Sequence, residues 1–289
     1  MRVLVTGAFG LLGREVGERL LALGHEVVAT DIASEKDFLD ITDRDSIRVA
    51  LRSIRPGWVV NCAAYTNVDA CEAHEPEATL LNATGPELLA VECKAQGSRL
   101  LHLSTDYVFD GAKTSPYTED DPPCPLNAYG RSKLAGEQAI LKRMEDPLIV
   151  RSQWLFGIHG KNFVSTIIEI AKGTPSIRVV DDQWGSPTYA KDLAKAVVAL
   201  MEVDARGVYH VCNRGRATWY DLARKAISIM ELDTEVVPVS TGEFPRPARR
   251  PPYSILSTKR FTATTGKLLP PWQISIKSYI QEYLQYERG

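Results

Sequence analysis

Short apolar runs, rich in β-branched residues, alternate through the first half of the chain with longer stretches whose apolar positions recur every three or four residues. The runs read as strands and the stretches as amphipathic helices, and their alternation is the pattern of a parallel sheet covered on both faces. Strands are expected at Val3–Thr6, Glu26–Thr30, Trp58–Cys62, Leu100–Ser104, Leu148–Arg151 and Arg178–Val180. Helices are expected at Leu11–Leu23, Asp45–Ile54, Pro86–Gln96 and Ala128–Arg143, with Gly24 and Gly97 as C-caps. After Arg151 the rhythm loosens, with further helices near Phe163–Lys172, Lys191–Met201 and Thr218–Met230. The stretch Phe244-Pro-Arg-Pro-Ala-Arg-Arg-Pro-Pro-Tyr253 holds too many prolines for a helix and is expected to be extended and stiff.

The residues that carry chemistry fall at the carboxyl ends of the expected strands, where a doubly wound sheet binds its ligands. After the first strand comes Gly7-Ala-Phe-Gly10-Leu-Leu-Gly13, opening directly into a helix. Glycines at this spacing permit a tight turn, a close approach of backbone N–H groups to a pyrophosphate, and helix–strand packing. Asp31 follows the second strand, where a carboxylate either hydrogen-bonds a ribose diol or simply forms a turn. Facing the ribose, it would repel a 2′-phosphate and favour NADH over NADPH. Asp40-Ile41 either borders an adenine or, through Asp40-Ile-Thr-Asp43, only caps the next helix.

Tyr129 and Lys133 lie four apart on an expected helix and so share a face. An ammonium beside a phenol lowers a pKa that is ordinarily about 10, toward a range useful for proton transfer. Ser104-Thr105-Asp106 closes the fourth strand and offers a hydroxyl to a substrate carbonyl and to the phenol of Tyr129. Arg249-Arg250 on the proline-rich loop is either a diphosphate clamp or a solvated edge, and Trp154 either stacks on ligand or packs in the core. His102, inside an apolar strand, reads as an interior histidine rather than a base. A nucleotide grip and a tuned acid together point to hydride transfer.

Composition narrows the setting. The 289 residues are 44% hydrophobic and 24% charged with a net charge of −2 and no basic run, which argues against a nucleic-acid partner. No signal peptide is expected, and no apolar stretch reaches the roughly 18 residues of a membrane span. Five cysteines without CxxC spacing read as reduced thiols of a cytoplasmic protein, with no metal or disulfide role.

Longer motifs are more specific. They include Asn61-Cys-Ala-Ala-Tyr-Thr-Asn-Val-Asp69, Ser104-Thr-Asp-Tyr-Val-Phe109, Pro125-Leu-Asn-Ala-Tyr-Gly130, Ser132-Lys-Leu-Ala-Gly-Glu137 and Arg151-Ser-Gln-Trp-Leu-Phe-Gly157. Asn162-Phe-Val164, Asp182-Gln-Trp-Gly-Ser-Pro-Thr188 and Pro245-Arg-Pro-Ala-Arg-Arg-Pro251 continue the series. In these, over nearly its whole length, the chain resembles the extended and atypical short-chain dehydrogenase/reductases and, within them, the dTDP-4-dehydrorhamnose reductases.

The resemblance implies an α/β fold. A Rossmann-like doubly wound parallel sheet is expected over residues 1–151 and a smaller C-terminal substrate-binding lobe over 152–289, with about 176–201 returning to the nucleotide domain. NADH or NADPH is expected on Gly7, Gly10, Leu11, Leu12, Gly13, Asp31, Asp40, Ile41, Ala63, Ala64 and Tyr65, beside Tyr129 and Lys133. Thr105, Tyr129 and Lys133 become the catalytic trio, and Thr105, Asp106, Tyr129 and Trp154 the contacts to a dTDP-4-dehydro-L-rhamnose substrate. Some members resemble magnesium-bridged dimers built on glutamates. Glu15 matches one of these and Lys191 stands where another is expected, so no metal is expected here, in a monomer or a homodimer. The alternatives are another sugar-nucleotide epimerase, dehydratase or reductase, or a non-catalytic subunit like the methionine adenosyltransferase β subunit.

Overall fold

A computed structural model of the chain describes residues 1–287. Its first half runs β1 (Arg2–Thr6), α1 (Leu11–Ala22), β2 (Glu26–Thr30), α2 (Arg44–Ile54), β3 (Trp58–Asn61), α3 (Val68–Ala73), α4 (Glu75–Thr79), a π-helical turn (Leu80–Thr84), α5 (Gly85–Gln96), β4 (Arg99–Thr105), α6 (Ala128–Arg143) and β5 (Leu148–Ser152). The expected strands and helices of this half are all present, with ends displaced by no more than a residue. The cause is local. Side chains alternate across a strand, so Val3 and Val5 enter one core layer and Leu4 the other, and a strand buried on both faces must be apolar throughout. Helix ends are equally explicit: Asp43 accepts the N–H of Asp45 to start α2, and Gly97 closes α5 in the left-handed region.

The second half runs β6 (Leu155–Phe156), α7 (Phe163–Lys172), β7 (Ser176–Val180), β8 (Trp184–Gly185), β9 (Thr188–Tyr189), α8 (Ala190–Glu202), β10 (Gly207–His210), β11 (Ala217–Thr218), α9 (Trp219–Ile229), β12 (Glu235–Val239), α10 (Lys259–Thr265) and α11 (Trp272–Tyr286). Among the described residues the central sheet is parallel, in the order β10-β5-β4-β3-β1-β2. The strand order reverses between β1 and β3, and the crevice at such a reversal is where this architecture takes its ligand.

The strand around Arg178 does not join that sheet. It pairs in parallel with β12, away from the nucleotide domain, and the sixth place is filled by the four-residue β10. The reason lies in its burial: only Ile177 and Val179 of β7 are covered, on one face, by Ala223 and Ile227 of α9. A central strand would have to be apolar on both. The second part of the segment expected to return does so, because α8 packs on α1 and buries Leu193, Val197 and Leu200 against Val16 and Leu20. The other lobe is held by Phe156, Ile168, Leu222, Trp272, Ile276 and Tyr279. No helix among the described residues is long and apolar enough to cross a membrane, and all five cysteines are unpaired.

Candidate active site

A cleft of about 570 Å3 opens at the carboxyl ends of β1, β3, β4 and β5. Gly7, with φ +64°, begins its floor: a Cβ there would lie 2.5 Å from the amide nitrogen of Ala63 after β3, and one on Gly13 would run into the carbonyl of Gly7. Only glycines let the two loops meet. Gly10 caps α1 without a side-chain hydrogen bond, and no acidic residue stands in the first turn. The first-turn N–H groups of Leu11 and Leu12 therefore face the cleft with the positive end of the helix dipole, which suits a pyrophosphate. Asp31 lines the cleft, its carboxylate held by the N–H groups of Phe9 (3.1 Å) and Ala33 (3.0 Å). Asp40, Ile41, Ala63 and Ala64 line the same end. This donor set fits a dinucleotide. Tyr65 does not line the cleft; it packs against Cys71, Ala78 and Ala128.

The other end is built by β4 and α6. Asn127 starts α6 by accepting the N–H of Gly130 (2.8 Å), and Gly130 lets the first turn press onto the carbonyl of Tyr107, which a Cβ would strike. This close seating puts Tyr129 beside Thr105, the last residue of β4. Burial pushes the Tyr129 phenol up, hydrogen bonding with Thr105 pulls it down, and Asp106 and Cys71 push it up again. The net shift is upward. The expected lowering by Lys133 is not found, although Lys133 also lines the cleft. Its Nζ donates to the carbonyl of Leu103 (2.6 Å) and lies 3.2 Å from Nε2 of His102.

Asp106 is buried at the cleft floor, raised to about 7 by desolvation against the Thr105 hydroxyl, which donates to its Oδ1 (3.1 Å). Behind it, Glu137 of α6 forms a buried pair with Arg151 of β5 (2.6 Å) and receives the Ser104 hydroxyl, locking α6 to the sheet. Trp154 sits just past β5 with φ +48° and stacks on Trp219 at 3.6 Å between ring centres. Both indoles line the cleft.

Arg249 and Arg250 do not line it. Arg250 grips Asp69 through two bonds of 2.8 and 3.0 Å, and the Arg249 carbonyl accepts from Asn127. A diphosphate clamp or a solvated edge was expected; the Arg250 guanidinium ties the proline-rich segment to α3 through Asp69. Sequence reasoning missed Gln153, Lys161, Phe163 and Trp219 as cleft residues. The signal for the last three was present, since Asn162 and Thr218 head capping boxes and start α7 and α9 at the cleft.

The family model described as the RmlD substrate binding domain matches residues 1–285. A probable dTDP-4,6-dihydroxy-2-methyloxan-3-one 4-ketoreductase of Streptomyces antibioticus is 43% identical, covering 99% of this chain and 97% of that protein. A dTDP-4-dehydrorhamnose reductase of Mycobacterium tuberculosis is 42% identical over 95% of this chain and 91% of that one. Among solved structures, dTDP-4-dehydrorhamnose reductase from Bacillus anthracis in complex with NADP superposes with a TM-score of 0.93 at 38% identity, over 97% of this chain and 99% of that chain.

Proposed function

The chain belongs to the RmlD substrate binding domain family, and on that premise we propose that it reduces the 4-keto group of dTDP-4-dehydro-L-rhamnose to give dTDP-L-rhamnose, with NADH or NADPH as cofactor. It is an NAD(P)H-dependent oxidoreductase, as its relatives are named reductases and one of them holds NADP. The observation that carries the reading is one cleft with an uncapped, glycine-led helix N-terminus at one end and the Thr105–Tyr129 pair at the other.

The cofactor, held by Gly7–Gly13, Asp31, Asp40, Ile41, Ala63 and Ala64, supplies a hydride when bound. Tyr129 gives its phenolic proton to the oxygen at C4 as negative charge develops there. Its raised pKa keeps it protonated at neutral pH, the form a donor needs. Thr105 lines the cleft with Tyr129 and stands ready to share the same oxygen. Asp106 and Trp154 supply the polar floor and the aromatic wall of the sugar subsite. Residues 1–151 hold the cofactor and most of 152–289 the nucleotide sugar. Thiol cysteines support a cytoplasmic enzyme, and the net charge of −2 argues against a nucleic-acid partner.

A second 4-keto sugar has its own support, since one 45%-identical relative is named a dTDP-4-keto-6-deoxy-D-glucose reductase. The test is NAD(P)H oxidation with each keto sugar in turn and the product identified by NMR. Faster turnover of dTDP-4-dehydro-L-rhamnose, giving dTDP-L-rhamnose, is expected. Turnover without net cofactor oxidation would point to an epimerase or dehydratase, and no turnover of either sugar to a regulatory subunit.

A further inference from the structure

His102 lies wholly buried in β4, between Asn61 at the end of β3 and Lys133 on α6. The orientation of Asn61 is fixed by its neighbours: its Oδ1 accepts from the backbone N–H of Ala63 (3.1 Å) and from the hydroxyl of Thr6 (2.7 Å). A backbone N–H can only donate, so oxygen must face it and Nδ2 must face His102, at 3.0 Å from Nδ1. Nδ2 also only donates. Nδ1 of His102 is therefore an acceptor and carries no proton. Burial holds His102 well below its ordinary pKa, so the ring is neutral and its single proton sits on Nε2.

That N–H points at Nζ of Lys133, 3.2 Å away. An ammonium has three donors and no acceptor, so it would meet the ring N–H donor to donor. An amine accepts it with its lone pair and still donates to the Leu103 carbonyl at 2.6 Å. We propose that His102 is a positioning residue: oriented by Asn61, it presents its Nε2–H to Lys133 and favours that side chain's neutral amine form. Lys133 then becomes an ammonium when a ligand in the cleft offers it another acceptor, which couples the charge on α6 next to Tyr129 to occupancy. Burial pulls Lys133 down while Glu137 on its own helix and Cys62 after β3 push it back up, which leaves it at about 8. A hydrogen bond given to the neutral form moves it further down.

This inference deepens the proposed function, but its readouts need no substrate, so its failure and that of the reductase assignment are distinguishable. The full chain is labelled with 15N-histidine and 13Cε-lysine, with His102 and Lys133 signals assigned through His102→Leu and Lys133→Met. The proton of His102 is expected on Nε2, and the Lys133 titration midpoint is expected to rise by about one pH unit, tenfold in proton affinity, in His102→Leu. Saturating NADPH should raise it in the wild type. A proton on Nδ1, or a midpoint unmoved by His102→Leu, overturns the proposal, and a midpoint unmoved by NADPH overturns the coupling to occupancy. If His102→Leu does not fold, Asn61→Asp carries the test. It offers only oxygen to Nδ1 and should transfer the ring proton there, whereas a proton remaining on Nε2 overturns the argument.

Discussion

Replacing Asp106 with Asn should stabilise the protein at alkaline pH and do nothing of the kind in mild acid. Asp106 is 2% exposed, its Oδ2 has no hydrogen-bond partner, and burial raises its pKa from 3.8 to about 7. A folded-state pKa above the unfolded one means that folding disfavours the charged form. No penalty exists below about pH 4, it accrues as pH rises toward about 7, and it stays constant above. Three pH units at about 1.36 kcal/mol each give a penalty on the order of 4 kcal/mol. Asn escapes it but places an amide N–H2 where no partner waits, which costs about 1–3 kcal/mol. The net gain is then about 2 kcal/mol at pH 8, roughly 4 °C in Tm for a chain of this size. Thermal unfolding of both proteins from pH 5 to 8 measures it. The Asn variant should gain on the wild type as pH rises, and a gap independent of pH would refute the reasoning.

Asp31→Ala should shift the ratio of kcat/KM toward NADPH, since it removes the carboxylate at the cleft's ribose end; an unchanged ratio in paired assays would remove Asp31 from that role. Turnover should survive exhaustive chelation, because the Lys191 ammonium already serves Glu282 at 2.7 Å beside the buried Glu15. Assays in EDTA with and without added magnesium decide this. Gly130→Ala should lower kcat far more than it raises the Kd for NADPH, because the new Cβ strikes the Tyr107 carbonyl and lifts the start of α6. Stopped-flow kinetics beside NADPH titrations separate the two.

The nucleotide half of the fold was legible because its signals are local: strands apolar on both faces, glycines that end helices, and a glycine turn that must lie at a strand end. α11 was not anticipated, although Trp272, Ile276, Tyr279, Ile280 and Tyr283 are its buried stripe. Its aromatic and β-branched residues have weak helix preference, and packing on α9 and β9 overrides it. β12 was hidden by Pro238, which a two-stranded sheet tolerates on an open edge. Within the site, the spacing of Tyr129 and Lys133 announced a shared helix face. It could not announce that His102, thirty-one residues earlier on β4, would stand 3.2 Å from the Lys133 nitrogen. The Arg250–Asp69 pair was hidden for the same reason: Asp69 is distant in sequence and supplied by another element.

The central claim is that Tyr129 is the proton donor of a keto-sugar reduction, and Tyr129→Phe tests it most directly. The ring and its packing against Tyr107 are kept, and only the hydroxyl is lost. Reduction of dTDP-4-dehydro-L-rhamnose, followed by NADPH oxidation, should slow by roughly 10²–10⁴ while Tm and NADPH affinity stay at wild-type values. A variant that reduces the keto sugar at close to the wild-type rate would contradict the account.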